Sequence, residues 1–141
     1  KTRDAFYAVD YTYPVYVART CAAAGARQFL IVTALGANPH SPFFYNRVKG
    51  EVEAAVKDIG FAAVHIFRPS LLLGQRKEKR FLEGIAGSLA RAMAPLMAGP
   101  LGKYRPIEAA DVARAMVKTA LQDRPSTVHE SHHIRRIARG D

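Results

Sequence analysis

The residues best suited to chemistry are a tyrosine and a lysine four positions apart, in Tyr45-Asn46-Arg47-Val48-Lys49. On a helix that spacing puts the phenol and the ammonium on one face. A nearby ammonium favours phenolate and lowers a tyrosine pKa from its usual value of about 10. A phenol so tuned can exchange a proton with an oxygen passing between carbonyl and alcohol. Spacing alone fits equally well a helical neighbour pair with no role, so the surroundings must decide.

Other reactive side chains offer less. His129, His132 and His133 could form a metal cluster, but no cysteine lies near them, and they read as a polar helix start. His65 falls in an apolar run and reads as a satisfied core residue. Cys21, the single cysteine, cannot form an internal bridge and lies on an apolar helix face, where it is inert. Glu51 and Glu53 are two apart on a helix, point in different directions and cannot act as a carboxylate pair. No G-x-S-x-G occurs, so a serine elbow has no support.

The elements that must hold Tyr45 and Lys49 follow from hydrophobic spacing. Val9, Tyr13, Tyr16, Val17, Thr20, Cys21 and Ala24 recur at three and four, predicting a helix. Asp10 is its candidate start signal. Pro14 would damage a helix interior, so the helix is expected to begin close to it and to stop at Gly25. Residues 28–33 form a short apolar run, read as a strand buried on both faces. Gly36, Asn38, Pro39 and Pro42 mark residues 34–42 as loop. A helix follows over about 44–59, with Val48, Val52, Ala55, Val56 and Ile59 inward and Glu51, Lys57 and Asp58 outward. Residues 62–68 form a second buried strand, stopped by Pro69. A helix over about 80–93, a short strand over 104–107, a helix from Asp111 to about Gln122, a strand over 127–130 and a final helix capped by Ser131 complete the chain.

Strands separated by helices of this length indicate βαβ units and a parallel sheet. In such sheets ligands bind beyond the carboxyl ends of the strands. Thr33, Tyr45 and the Arg68-Pro69 step fall on that one rim, which raises the Tyr45–Lys49 pair above coincidence.

Composition narrows the classes. The chain has 141 residues, 49% hydrophobic and 23% charged, which excludes a disordered tail or a disulfide-stapled miniprotein. No apolar run reaches the ~18 residues of a membrane span, so no membrane partner is expected. The formal charge is +9. Its local concentrations, Arg76, Lys77, Lys79 and Arg80, then Arg135, Arg136 and Arg139, carry no interleaved aromatics. They read as solvated faces, and nucleic acid is not the expected partner.

Several stretches taken together resemble the short-chain dehydrogenase/reductase superfamily. They are Val9-Asp10-Tyr11, FLIVTALGA at 29–37, FYNRVKGEVE at 44–53, FRPSLLLGQRKEKR at 67–80, YRPI at 104–107 and DVA at 111–113. The detail resembles its atypical branch, that of the Tat-interacting-protein-like oxidoreductases. The resemblance implies a Rossmann-like parallel sheet flanked by helices and a cofactor NADP(H), with NAD(H) left open. It implies Tyr45 as general acid/base, Lys49 as its partner and a holder of the cofactor ribose, and Thr33 in place of the usual serine. It also implies cofactor contacts from Leu72 and Arg80. From the histidine reading above, no metal is expected.

One family feature is missing: nothing matches the glycine-rich turn that opens such domains. Residues 1–141 are therefore expected to be the C-terminal portion of one dinucleotide-binding domain, with a small substrate-side lobe around 75–102. That portion alone is expected to bind NADPH poorly. The expected activity is interconversion of a small carbonyl and an alcohol in the cytoplasm. A dinucleotide-binding sensor or scaffold without turnover is the alternative, and a homodimer is left open.

Overall fold

The structure is a computed structural model that describes residues 2–73 and 104–140. The elements run α1 (Arg3–Tyr7), a π-helical turn (Ala8–Thr12), α2 (Tyr13–Ala23), β1 (Gln28–Val32), α3 (Phe44–Lys57), β2 (Ala63–Arg68), β3 (Leu72–Leu73), β4 (Ile107–Glu108), α4 (Ala109–Ala120), β5 (Thr127–Glu130) and α5 (Ser131–Arg139). Strands β1, β2 and β5 form a parallel sheet in the order β1-β2-β5, as expected of an α/β chain, and β3 and β4 pair as a separate parallel ribbon.

Alternation along the strands splits the core in two. Phe29 and Ile31 of β1 join Val64 and Ile66 of β2 under α2 and α3, packed on Val15, Ala18, Val52 and Val56. Leu30, Val32 and Phe67 face the other way, against Val112, Ala115, Ile134 and Ala138 of α4 and α5. Helices thus cover both faces of the sheet. Val48, Val52 and Val56 are each fully buried at the four-residue spacing that defines the α3 stripe. Burial of each such side chain contributes roughly 1.5–3 kcal/mol. β2, the central strand, is buried along nearly its whole length, whereas β1 is half-buried throughout because it lies at the sheet edge. The expectation that β1 is buried on both faces is corrected accordingly.

Three further expectations change. The first helix starts at Arg3, capped by the Thr2 hydroxyl, not near Pro14. A π turn precedes the proline: the Tyr13 amide donates to the Ala8 carbonyl, five residues back, which shifts the ladder by one residue. Pro14 then sits in the first turn of α2, where a missing N–H is tolerated. The short strand expected over 104–107 overlaps β4 only at Ile107. Ser131 begins α5 rather than capping it: its hydroxyl accepts from the Ser70 amide at 2.8 Å and donates to the Ser70 hydroxyl at 3.1 Å. The helix expected over 80–93, the lobe around 75–102 and Arg80 lie outside the described residues.

Candidate active site

Tyr45 and Lys49 occupy the first two turns of α3, on a common face. The Lys49 ammonium stands 5.9 Å from the Tyr45 ring centre. The ring is half-exposed and rests against Phe6 of α1, 5.7 Å between centres. Phe6 also meets Phe44, whose ring carries the Arg3 and Arg47 guanidiniums. α1, absent from the expected fold, therefore forms one wall of this site.

Lys49 has a partner that spacing could not reveal. Its Nζ donates to Asp10 Oδ1 at 2.6 Å, and both side chains are mostly shielded from solvent. Asp10 lies in the π turn, so the widened segment carries the carboxylate that holds the site lysine. An ammonium has three donors, so two remain on Lys49. Beside this pair, burial and the Glu51 carboxylate raise the Tyr7 phenol above the ordinary tyrosine pKa. Glu51 is accordingly half-buried rather than outward-facing.

The loop beneath Tyr45 is built by close approach. The Asn38 amide donates to the Asn46 carbonyl at 3.0 Å. A Cβ on Gly50 would lie 2.2 Å from backbone atoms of Asn38 and Pro39, so only glycine lets the loop lie on α3. Gly36, at φ +82, turns the same loop in the left-handed region.

Thr33 follows β1 on the rim and is buried. Its hydroxyl donates to Glu53 Oε1 at 2.6 Å. Glu53 is itself buried and binds Arg68 through both carboxylate oxygens, Nε to Oε1 at 2.9 Å and Nη2 to Oε2. The forked pair raises the Arg68 pKa, its hydrogen bond to Glu53 outweighing burial. The network ties the carboxyl ends of β1 and β2 to α3. It is the feature that sequence reasoning missed; an acid beside the buried stripe of α3 and an arginine ending a buried strand were its available signals. Leu72 is partly exposed and pairs with Ile107. No hydrogen bond among the described residues joins Thr33 or Leu72 to the Tyr45–Lys49 pair.

Behind the rim, three histidines form a chain. His65 Nδ1 lies 3.4 Å from His129 Nε2, and His129 Nδ1 lies 3.3 Å from His133 Nδ1. His129 also stacks on Phe67 at 4.7 Å. Burial and then neighbouring His133 push the His129 pKa down to about 4, so its ring is neutral. Burial also lowers His65 against the raising influence of the Arg124 backbone, and its Nε2 has no partner in hydrogen-bond geometry. His65 is thus a core residue, though not a fully satisfied one, and His132 is exposed and outside the chain. Among the described residues no group of three or more His, Cys, Asp or Glu is arranged to hold a metal ion. None of the described helices is long and apolar enough to cross a membrane.

No family model matches the chain. It is 32% identical over 133 residues to "Protein FMP52, mitochondrial" of Coccidioides immitis, covering 94% of this chain and 54% of that protein. The protein of the same name from Lodderomyces elongisporus is 36% identical over 121 residues, covering 83% and 49%. That of Candida albicans is 33% identical over 117 residues, covering 82% and 50%. The chain spans about half the length of these relatives. Their names overturn the expectation of a cytoplasmic location, because composition and the absence of an apolar span carry no information on organelle. Over most of its length this α/β chain is homologous to proteins named as mitochondrial FMP52.

Proposed function

We propose that the chain contributes the proton-transfer half of an NADP(H)-dependent oxidoreductase that interconverts a small carbonyl and an alcohol. The observation that carries this reading is the Lys49 ammonium held 5.9 Å from the centre of the half-exposed Tyr45 ring, at the carboxyl rim of a parallel sheet. Tyr45 donates its phenolic proton to the carbonyl oxygen in reduction and recovers it from the hydroxyl in oxidation. The cofactor supplies the hydride. Lys49 fits the ribose side of such a cofactor, since Asp10 fixes its head and leaves two donors for vicinal hydroxyls. Thr33 enters as a positioning residue, its hydroxyl engaged by Glu53. Leu72 offers an apolar contact on the neighbouring ribbon, and Arg80 a phosphate partner.

The test is turnover of NADPH with a panel of carbonyl compounds by the complete protein and its Tyr45→Phe variant. A general acid/base contributes about 10²–10⁴-fold, so the variant falls at least ~100-fold in kcat with cofactor affinity retained. Near-normal turnover by the variant removes the mechanism. The commitment of the Thr33 hydroxyl to Glu53 favours one second reading, a dinucleotide-binding sensor or scaffold. Cofactor binding with no oxidation across the panel supports that reading instead.

A further inference from the structure

On the sheet face opposite α3, a cavity of about 200 Å³ opens between the carboxyl half of α4, the turn after it and α5. Its polar lining is Lys118, Gln122, Arg124, His133 and Arg136. Among the described residues, no aspartate or glutamate lines it. The ion pairs among the described residues are Lys49–Asp10, Arg68–Glu53 and Arg114–Asp111, none of them at this wall. The side chains of Arg124 and Arg136 make no hydrogen bond or ion pair among the described residues. Lys118 is held in place by the Ala138 carbonyl at 2.9 Å, which leaves it two donors. His133 spends Nδ1 on His129, and its Nε2 makes no hydrogen bond among the described residues.

We propose that this cavity binds a phosphate monoester or inorganic phosphate, gripped by the Arg124 and Arg136 guanidiniums with Lys118 and His133 completing the donor set. Four cationic or donor groups converge without a counter-charge among the described residues, which costs energy unless an anion completes the site. A guanidinium presents a planar fork that matches two phosphate oxygens at once. The size decides against a larger ligand: pockets for drug-sized molecules run about 300–1,000 Å³, so this one takes a compact anion and not a dinucleotide. Position separates it from the Tyr45 site, because α3 covers one face of the sheet and α4 and α5 the other. Mutual repulsion is visible at His133, whose pKa is lowered by burial first and then by Arg136, His132 and Arg124.

Calorimetric titration of the protein with inorganic phosphate at physiological salt tests the site. Saturable binding at one site is expected, weakened about tenfold or more by Arg124→Ala and by Arg136→Ala, since a hydrogen bond between charged groups is worth at least that factor. Both arginines are exposed, so neither variant disturbs the core. Arg139→Ala removes the same charge from α5 outside the cavity and is expected to leave binding unchanged. Three results overturn the proposal: no saturable binding into the millimolar range, equal weakening by Arg139→Ala, or binding to phosphatidic acid vesicles with none to free phosphate. The last would mean recognition of a lipid surface, not of a compact anion.

Discussion

Acid should unfold this protein earlier than its carboxylates alone would dictate, through His129. The fold holds that imidazole neutral down to about pH 4, whereas the unfolded chain protonates it near the ordinary histidine value of 6.5. A group whose folded pKa is depressed below its unfolded value binds more protons unfolded, so stability falls as pH drops through that interval. For a basic group this means full stability above about 6.5, progressive loss below it and the whole loss by about 4. Each pH unit of difference is worth ~1.4 kcal/mol, so His129 alone accounts for about 2 kcal/mol by pH 5 and about 3 kcal/mol at its limit. His65 and His133 are also lowered and act in the same direction. Urea unfolding at pH 7, 6 and 5 measures the effect in a window above the ordinary carboxylate range of about 4. His129→Asn keeps a polar side chain on β5 but removes the titration. The variant is expected to be less stable at pH 7 and to lose distinctly less on going to pH 5. A wild-type stability that is level from pH 6.5 to 5, or an equal slope in the variant, refutes the assignment.

Glu53→Gln strips the charge from a buried forked pair and leaves Arg68 without its partner, so a loss of about 3–5 kcal/mol is expected in denaturant unfolding. Thr33→Val deletes the hydroxyl that meets the same carboxylate and should cost about 1–2 kcal/mol; in a double-mutant cycle the two changes should be strongly non-additive. Gly50→Ala puts a methyl 2.2 Å from the Asn38–Pro39 backbone, so destabilisation at or above the usual overpacking range of about 1–3 kcal/mol is expected, together with altered amide signals over 36–41 by NMR. Asp10→Asn frees the Lys49 ammonium at a partly shielded site, and about 1–2 kcal/mol of thermal or urea stability should go with it.

Local patterns carried most of the architecture. The apolar run Phe29-Leu30-Ile31-Val32 and the Val48, Val52, Val56 stripe depend only on near neighbours, and β1, β2, β5 and α3 lie within a residue or two of their expected bounds. The common face of Tyr45 and Lys49 is legible for the same reason. What was not legible is non-local. Asp10 meets Lys49 across 39 positions, and His65 meets His129 across 64, through the β2–β5 pairing. Glu53 was hidden by its residue type: a carboxylate beside a helix stripe reads as solvated until the strand that brings Arg68 to it is known. The first helix was shortened by a sound rule, since a proline breaks an α ladder; the rule does not apply to a helix already shifted into π register.

The departures from local preference are not scattered. The π turn supplies Asp10, which fixes Lys49. The buried Glu53 lies one turn beyond Lys49 on α3 and clamps the ends of β1 and β2. Gly50, between them, lets the loop 34–42 lie against the helix. Each of these costs stability in isolation: a widened helix, a desolvated charge, a glycine in a helix interior. A sequence selected for stability alone would have an apolar residue at 53. Their concentration around a single helix, whose exposed opening turns carry Tyr45, indicates a surface held in a fixed shape at some expense to the fold. The basic cavity between α4 and α5 follows the same logic on the other side of the sheet, where like charges are kept together without an acidic partner among the described residues. Two such regions separated by a common core give this chain two independent places at which a ligand could add to its stability, and each would raise the unfolding temperature with the logarithm of its own ligand's concentration over its dissociation constant.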